Sequence, residues 1–276
     1  MSVLDCAGKP LDLSSPQVMG VLNVTPDSFS DGGEFTRVER AVEHAIVMAE
    51  QGAAIIDIGG ESTRPGAQPV SVADELDRVL PVIDALRRRL TIPLSIDTSK
   101  PEVMTAAVSA GAGFINDVNA LRADGALQAA QSTGVPVCLM HMQGAPDSMQ
   151  ESPRYTDVVA EVVEFLAGRI QTCVRAGFEC AQLVVDPGFG FGKSLGHNLA
   201  LMRHLDTMNS LQVPVLVGVS RKSMIGALLD VEPKDRLAGG LVLAALAVSR
   251  GARLVRTHDV GPTVDALKIV TAVEAA

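Results

Sequence analysis

Short apolar runs alternate with longer stretches of helical periodicity along almost the whole chain. The runs are 17–22 (QVMGVL), 53–58 (AAIIDI), 92–97 (IPLSID), 113–118 (GFINDV), 135–140 (VPVCLM), 181–186 (AQLVVD), 213–218 (VPVLVG) and 252–257 (ARLVRT). Their brevity and their weight of Val, Ile and Leu predict strands buried on both faces. Between them, stretches such as 37–51 (RVERAVEHAIVMAEQ) and 157–176 (DVVAEVVEFLAGRIQTCVRA) place apolar residues at i, i+3, i+4 and i+7, which predicts amphipathic helices. Gly52, Pro93, Gly134 and Pro214 punctuate the return to a strand.

Strict alternation of strand and helix implies right-handed crossovers and a parallel sheet. Eight such units favour a closed (β/α)8 TIM barrel over an open doubly wound sheet. No GxGxxG follows the first run, so the usual dinucleotide fingerprint is missing. With no linker, charge run or low-complexity segment, residues 1–276 are expected to form one α/β domain of the length usual for such barrels.

Composition narrows the function classes. The chain is 47% hydrophobic and 3% aromatic, enough aliphatic material for a large core. Its formal net charge of −9 argues against nucleic acid as a partner, so an anionic ligand must be held by a few local cations. No apolar run approaches the roughly 18 residues a membrane span needs. The N-terminal stretch lacks the basic-then-apolar pattern of a signal peptide. Cys6, Cys138, Cys173 and Cys180 are widely spaced with no CxxC, which points to reduced thiols in the cytoplasm.

In such a barrel the chemistry sits on the loops that follow the strands. The residues at the ends of the runs are Asn23, Asp57 with Glu61, Asp97, Asn116 with Asp117, His141, Asp186, Ser220 with Lys222, and Arg256 with His258. One aspartate at a strand end is commonly a cap or turn former. Polar groups at the ends of all eight runs, in register, point instead to a site at one mouth of the barrel. Ser220, Arg221, Lys222 and Ser223 open a helix whose free N–H groups favour an anion, and Arg256 and His258 end the next run. Together these suit a phosphate or carboxylate, unless Arg256 pairs with an internal carboxylate. Asp97 and Asp186 need donors, and with Asn116 they suit a flat heterocycle carrying an amino-amide edge. Clustered metal-ligand spacing is missing. Two loops rich in turn formers, 23–33 and 59–66, are candidate lids, and Phe29 at the tip of the first has the character of a ligand contact.

Five stretches together resemble the dihydropteroate synthase family: NVTPDSFSDGG at 23–33, GGESTRPGA at 59–67, DPGFGFGK at 186–193, GVSRKSMIG at 218–226 and RTHDV at 256–260. HMQGAPDSMQ at 141–150 is similar to the stretch after that family's fifth strand. The resemblance implies condensation of 6-hydroxymethyl-7,8-dihydropterin diphosphate with 4-aminobenzoate, with release of diphosphate. It implies that Asp97, Asn116, Asp186 and Lys222 bind the pterin, with Val118, Met140, Phe191 and Gly218 walling its pocket. Asn23, Arg64, Arg256 and His258 would hold the diphosphate, Asn23 also meeting a Mg2+ ion. Thr63, Arg64, Pro65, Phe29 and Ser223 would approach 4-aminobenzoate, and the family is expected to be a homodimer. Asp97, Lys222, Arg256 and His258 would act in the chemical step. One departure stands at 74–78, Asp–Glu–Leu–Asp–Arg, where the family often carries paired glutamates; it falls on a predicted helix.

Three other functions compete: a pterin-binding barrel passing a methyl group from methyltetrahydrofolate to a corrinoid protein, a sugar-phosphate lyase using Lys222 as a Schiff-base nucleophile, and a catalytically silent binding subunit. The first would not need two polar lids or the anion site after the last two strands. The second predicts borohydride trapping with a carbonyl substrate, and the third leaves the intact lid motifs without a purpose.

Overall fold

A computed structural model describes residues 3–25, 34–62, 68–144, 149 and 152–276. The chain opens with a hairpin that the periodicity argument above does not predict, β1 (Val3–Cys6) and β2 (Lys9–Asp12), paired antiparallel. Ala7 and Gly8 at its tip both have positive φ, 55° and 81°, the backbone of a two-residue hairpin turn. The signal is present in LDCAGKPLDL, where Leu4, Cys6, Leu11 and Leu13 alternate with polar residues around an Ala-Gly pair.

The eight runs form eight parallel strands. These are β3 (Gln17–Asn23), β4 (Ile55–Gly59), β5 (Leu94–Asp97), β6 (Phe114–Asp117), β7 (Val137–Met140), β8 (Leu183–Asp186), β9 (Leu216–Gly218) and β10 (Leu254–Thr257). Most start one to three residues later than the apolar runs do. Pro93, Pro136 and Pro214 stand just ahead of β5, β7 and β9, where a residue without an N–H belongs. Between the strands lie α1 (Glu34–Glu50), α2 (Val72–Arg87), α3 (Pro101–Ala110), α4 (Ala126–Thr133), α5 (Val158–Arg175), α6 (Leu195–Arg203), α7 (Ser223–Leu229), α8 (Leu237–Ser249) and α9 (Val260–Glu274). Capping residues set several starts: Ser71 accepts from the Asp74 N–H, and Asp157 from those of Val159 and Ala160.

The strand order is β8-β7-β6-β5-β4-β3-β10-β9, and a parallel bridge between Val185 and Val215 joins the two ends. The sheet is thus a closed (β/α)8 TIM barrel, as the alternation predicts. Its outer core lies between strands and helices. A second cluster fills the barrel's lower interior with Met19, Ile55, Phe114, Cys138, Val184, Leu216 and Leu254, and the hairpin's Leu4, Cys6, Leu11 and Leu13 close it from below. The N-terminal hairpin is therefore a plug on the face opposite the strands' C-terminal ends. Burying each of these aliphatic side chains contributes roughly 1.5–3 kcal/mol.

Candidate active site

Strand parity builds the site. Side chains two residues apart point to the same face of a strand. One step of two beyond the interior layer brings Asp57 after Ile55, Asn116 after Phe114, Met140 after Cys138, Asp186 after Val184, Gly218 after Leu216 and Arg256 after Leu254. Ser95 lies beside Asp57 in the β4–β5 register, and Asp97 lies beside Asn116 in the β5–β6 register. An apolar floor thus gives way, one layer up, to a ring of polar groups at the mouth.

Asp57, fully buried, is the hub of that ring. It accepts from Ser95 Oγ at 2.6 Å, from Asn116 Nδ2 at 2.9 Å and from Arg256 Nε at 2.6 Å. Arg256 Nη2 also donates to Asp97 Oδ2 at 2.7 Å. The internal pairing weighed for Arg256 is therefore real, and a pair of carboxylates shares one guanidinium. Nη1 of Arg256 has no partner among the described residues and stays available to an anion. Asp97 Oδ1 is buried without a hydrogen-bond partner among the described residues. Burial pushes the Asp97 carboxyl up to about 7, the nearby Asp57, Asp117 and Glu75 charges add to the rise, and Arg256 offsets it only in part.

Opposite stands a soft wall. Met140, Met142 and Met149 cluster with Val118 and Phe191. Lys222 Nζ rests 4.0 Å above the centre of the Phe191 ring, a cation–π contact. Burial lowers the Lys222 ammonium to about 8, while the Asp186 carboxylate draws it back up. Asp186 Oδ1 accepts from the Gly188 N–H at 2.7 Å, and burial lifts this carboxyl to about 6. The structure thus brings together Asp97, Asn116, Asp186, Lys222 and Arg256 with the walls Val118, Met140, Phe191 and Gly218.

At the rim, a Cβ built on Gly59 would lie 3.6 Å from Asp97 Cβ and 3.9 Å from Asn23 Oδ1, so this glycine keeps the space between them open. His258 is tied to the β9 exit, its Nδ1 3.0 Å from Ser220 Oγ. Ser223 is exposed at the start of α7, a helix of only seven residues. Arg221 turns away with φ +57° and pairs with Asp259 at 2.6 Å, so it does not join the cations of the mouth. Phe29, Thr63, Arg64 and Pro65 lie outside the described residues.

Several groups at strand ends have other work. Asp117 caps the turn after β6, accepting from Ser99 Oγ and from the N–H groups of Asn119 and Leu121. Glu61 accepts from the Val70 N–H at 2.9 Å and from Lys100 Nζ at 2.7 Å, and Lys100 also meets the buried Glu75, which stands at the 74–78 departure. His141 sits behind the pocket wall, its ring edge-on to Phe165, and burial lowers it to about 3. Its partner Lys193 is the residue the sequence reading missed. A single lysine closing a glycine-rich motif gives no local sign that it will be buried.

The family model for "Pterin binding enzyme" matches residues 19–258. A dihydropteroate synthase of Escherichia coli strain K12 is 54% identical over 265 residues, covering 96% of this chain and 94% of its own. The chain belongs to the dihydropteroate synthase family. It is accordingly a transferase of folate biosynthesis. Two solved Xanthomonas albilineans dihydropteroate synthases superpose on it. One, with 4-aminobenzoic acid, has a TM-score of 0.95 at 55% identity, covering 100% of this chain and 99% of its own. The other, in complex with 7,8-dihydropteroate, has a TM-score of 0.91 at 52% identity, covering 99% of each.

Proposed function

We propose that the mouth of this barrel condenses 6-hydroxymethyl-7,8-dihydropterin diphosphate with 4-aminobenzoate, and that its residues divide the work as follows. Asp97, Asn116, Asp186 and Lys222 read the edge of the pterin, between walls formed by Val118, Met140, Phe191 and Gly218. Arg256 and His258, with Asn23 and Arg64, hold the diphosphate. Phe29, Thr63, Arg64, Pro65 and Ser223 face 4-aminobenzoate. The observation that carries this reading is the orphaned Asp97 Oδ1, a buried acceptor without a donor beside a wall of methionine and phenylalanine. A flat ring with N–H groups along one edge supplies what that oxygen lacks.

In the reaction, the bond from the pterin methylene carbon to the diphosphate oxygen breaks, and its electron pair leaves with the diphosphate. The lone pair of the arylamine nitrogen forms the new C–N bond, and that nitrogen then gives up a proton. An arylamine is already unprotonated at neutral pH, so no strong base is needed. Asp97, as a carboxylate, stabilises positive charge building on the pterin, and the Nη1 side of Arg256 meets the charge leaving on the diphosphate. Among the described residues no group of three or more His, Cys, Asp or Glu could hold a metal. The amide oxygen of Asn23 suits a Mg2+ ion that keeps its waters and arrives with the diphosphate, where it would neutralise phosphate charge.

The protein is also read as a homodimer of the cytoplasm. Val242 and Leu246 on α8, and Ile269 and Val273 on α9, are exposed at 59%, 38%, 67% and 69%, and a second copy would cover that apolar face. All four cysteines are free thiols, as a reducing compartment requires. The test of the activity is diphosphate release with and without 4-aminobenzoate. Release that depends on the amine supports the condensation; release without it, or none, overturns it.

A further inference from the structure

Lys193 ends the DPGFGFGK motif and is 2% exposed. Its Nζ lies 2.9 Å from His141 Nδ1, 2.9 Å from Gly188 O, 2.9 Å from Phe191 O and 3.3 Å from His141 O. Burial lowers this ammonium to about 7, the Asp186 charge drawing it back up. Carbonyls can only accept, however, so the three-donor ammonium is the species that satisfies them best, and none of its donors is left for a ligand. The turn they hold presses directly on the exit of β7. A Cβ on Gly188, at φ +69°, would fall 2.0 Å from His141 O, and one on Gly192, at φ +59°, would fall 2.3 Å from Gln143 O. Phe191 N–H closes the turn onto Gly188 O at 3.1 Å, and Tyr155 Oη donates to Gly192 O at 2.8 Å.

We infer that Lys193 is a positioning residue for the pterin side of the pocket: its ammonium fixes the 186–193 turn against the end of β7, and through Phe191 it sets the surface on which Lys222 and the pterin ring lie. The inference rests on the reading that Phe191 and Met140 wall the ring. Three links connect it to that wall. Phe191 O bonds the ammonium while the Phe191 ring carries Lys222, and Gly188 O bonds it while Gly188 N–H holds Asp186. His141, the remaining partner, follows Met140 directly in the chain. Without the ammonium, the Gly188 and Phe191 carbonyls are buried with one fewer donor, and the turn must shift to find another.

The test is steady-state kinetics on the full chain, with both substrates varied. Lys193→Met keeps the unbranched stem, one atom shorter, and removes the donors. We expect the KM for pterin diphosphate to rise roughly tenfold or more, because small displacements of positioning groups are costly. The KM for 4-aminobenzoate and kcat should move less than about twofold. His141→Leu, which removes only one acceptor, should raise the pterin KM by about threefold with the same split. If Lys193→Met does not fold, His141→Leu decides by that split alone. An unchanged pterin KM, or two KM values that rise together, overturns the inference, because a purely structural lysine would move both or neither. Failure of the underlying pterin reading would show differently, as wild-type diphosphate release that does not saturate with pterin diphosphate.

Discussion

Replacing Asp97 with Asn separates the two things this carboxylate does. In the free protein Oδ2 is bonded to Arg256, and Oδ1 is buried with nothing to accept from among the described residues. An Asn can keep the Arg256 bond through its carbonyl oxygen but presents an NH2 group where Oδ1 stood. A ligand N–H aimed there would lose a charged acceptor, worth about 1.5–3 kcal/mol, and meet a donor left unpaired, costing about 1–3 kcal/mol. Together these amount to about 2.5–6 kcal/mol, or roughly seventyfold to some ten-thousandfold in kcat/KM for the pterin substrate. Stability should respond in the opposite sense. The folded Asp97 carboxyl titrates near 7, above its ordinary 3.8, because burial outweighs the pull of Arg256. Between those values the folded state holds a proton that the unfolded state has released, so stability falls as pH rises through that window. Above it the ionised side chain costs on the order of 2–4 kcal/mol. Asn carries no charge to desolvate. Asp97→Asn should therefore unfold at the same temperature as the wild type, or higher, at pH 8 while losing most of its kcat/KM. Calorimetry at pH 5 and pH 8 beside the kinetic assay reads both effects. A clear loss of thermal stability at pH 8, or retained kcat/KM, refutes the reasoning.

Other expectations follow from the same geometry. The kcat/KM for the pterin substrate should fall as pH drops through about 7 and then about 6, where Asp97 and Asp186 take up protons, and again as pH rises through about 8, where Lys222 loses one. Lys222→Arg should remove the Lys222 part of the alkaline limb, and a limb left unmoved would deny Lys222 that role. Leu11→Ala in the hairpin plug, where the side chain is 2% exposed, should cost about 2–4 kcal/mol in denaturant unfolding yet leave both KM values alone, since the plug lies at the far end of the barrel. Val242→Glu should yield monomers in sedimentation velocity, and an unchanged sedimentation coefficient would place the dimer contact elsewhere.

Much of the fold was legible because each βα unit carries its own signal. Valine-rich runs become strands wherever a sheet will bury both faces, and the helices declare themselves through one apolar stripe. The hairpin at 3–12 escaped because two four-residue strands carry little periodicity, and only the barrel floor gives Leu4 and Leu11 a place to be buried. At the barrel mouth, strand-end position picked out Asp97, Asn116, Asp186, Lys222, Arg256 and His258, which the structure places at that one end. The same rule also drew in Asp117, Glu61 and His141, which the structure assigns to capping, to a tie on the chain at Val70 and to the back of the pocket wall. A sequence shows that a polar group leaves a strand but not which way its neighbours turn it.

The sequence by itself determined the barrel, its single domain and the set of polar residues at its mouth, because alternation along the chain is local physics. Only the tertiary structure decided how that set is wired. Arg256 and Asp57 are separated by 199 positions in the chain, and they meet because closing the barrel lays β10 against β3, beside β4. Closure makes Asp57 a buried hub, leaves one oxygen of Asp97 without a donor and locks Lys193 behind the ring pocket. Burial and long-range pairing set those properties, and neither is written in any short stretch of sequence.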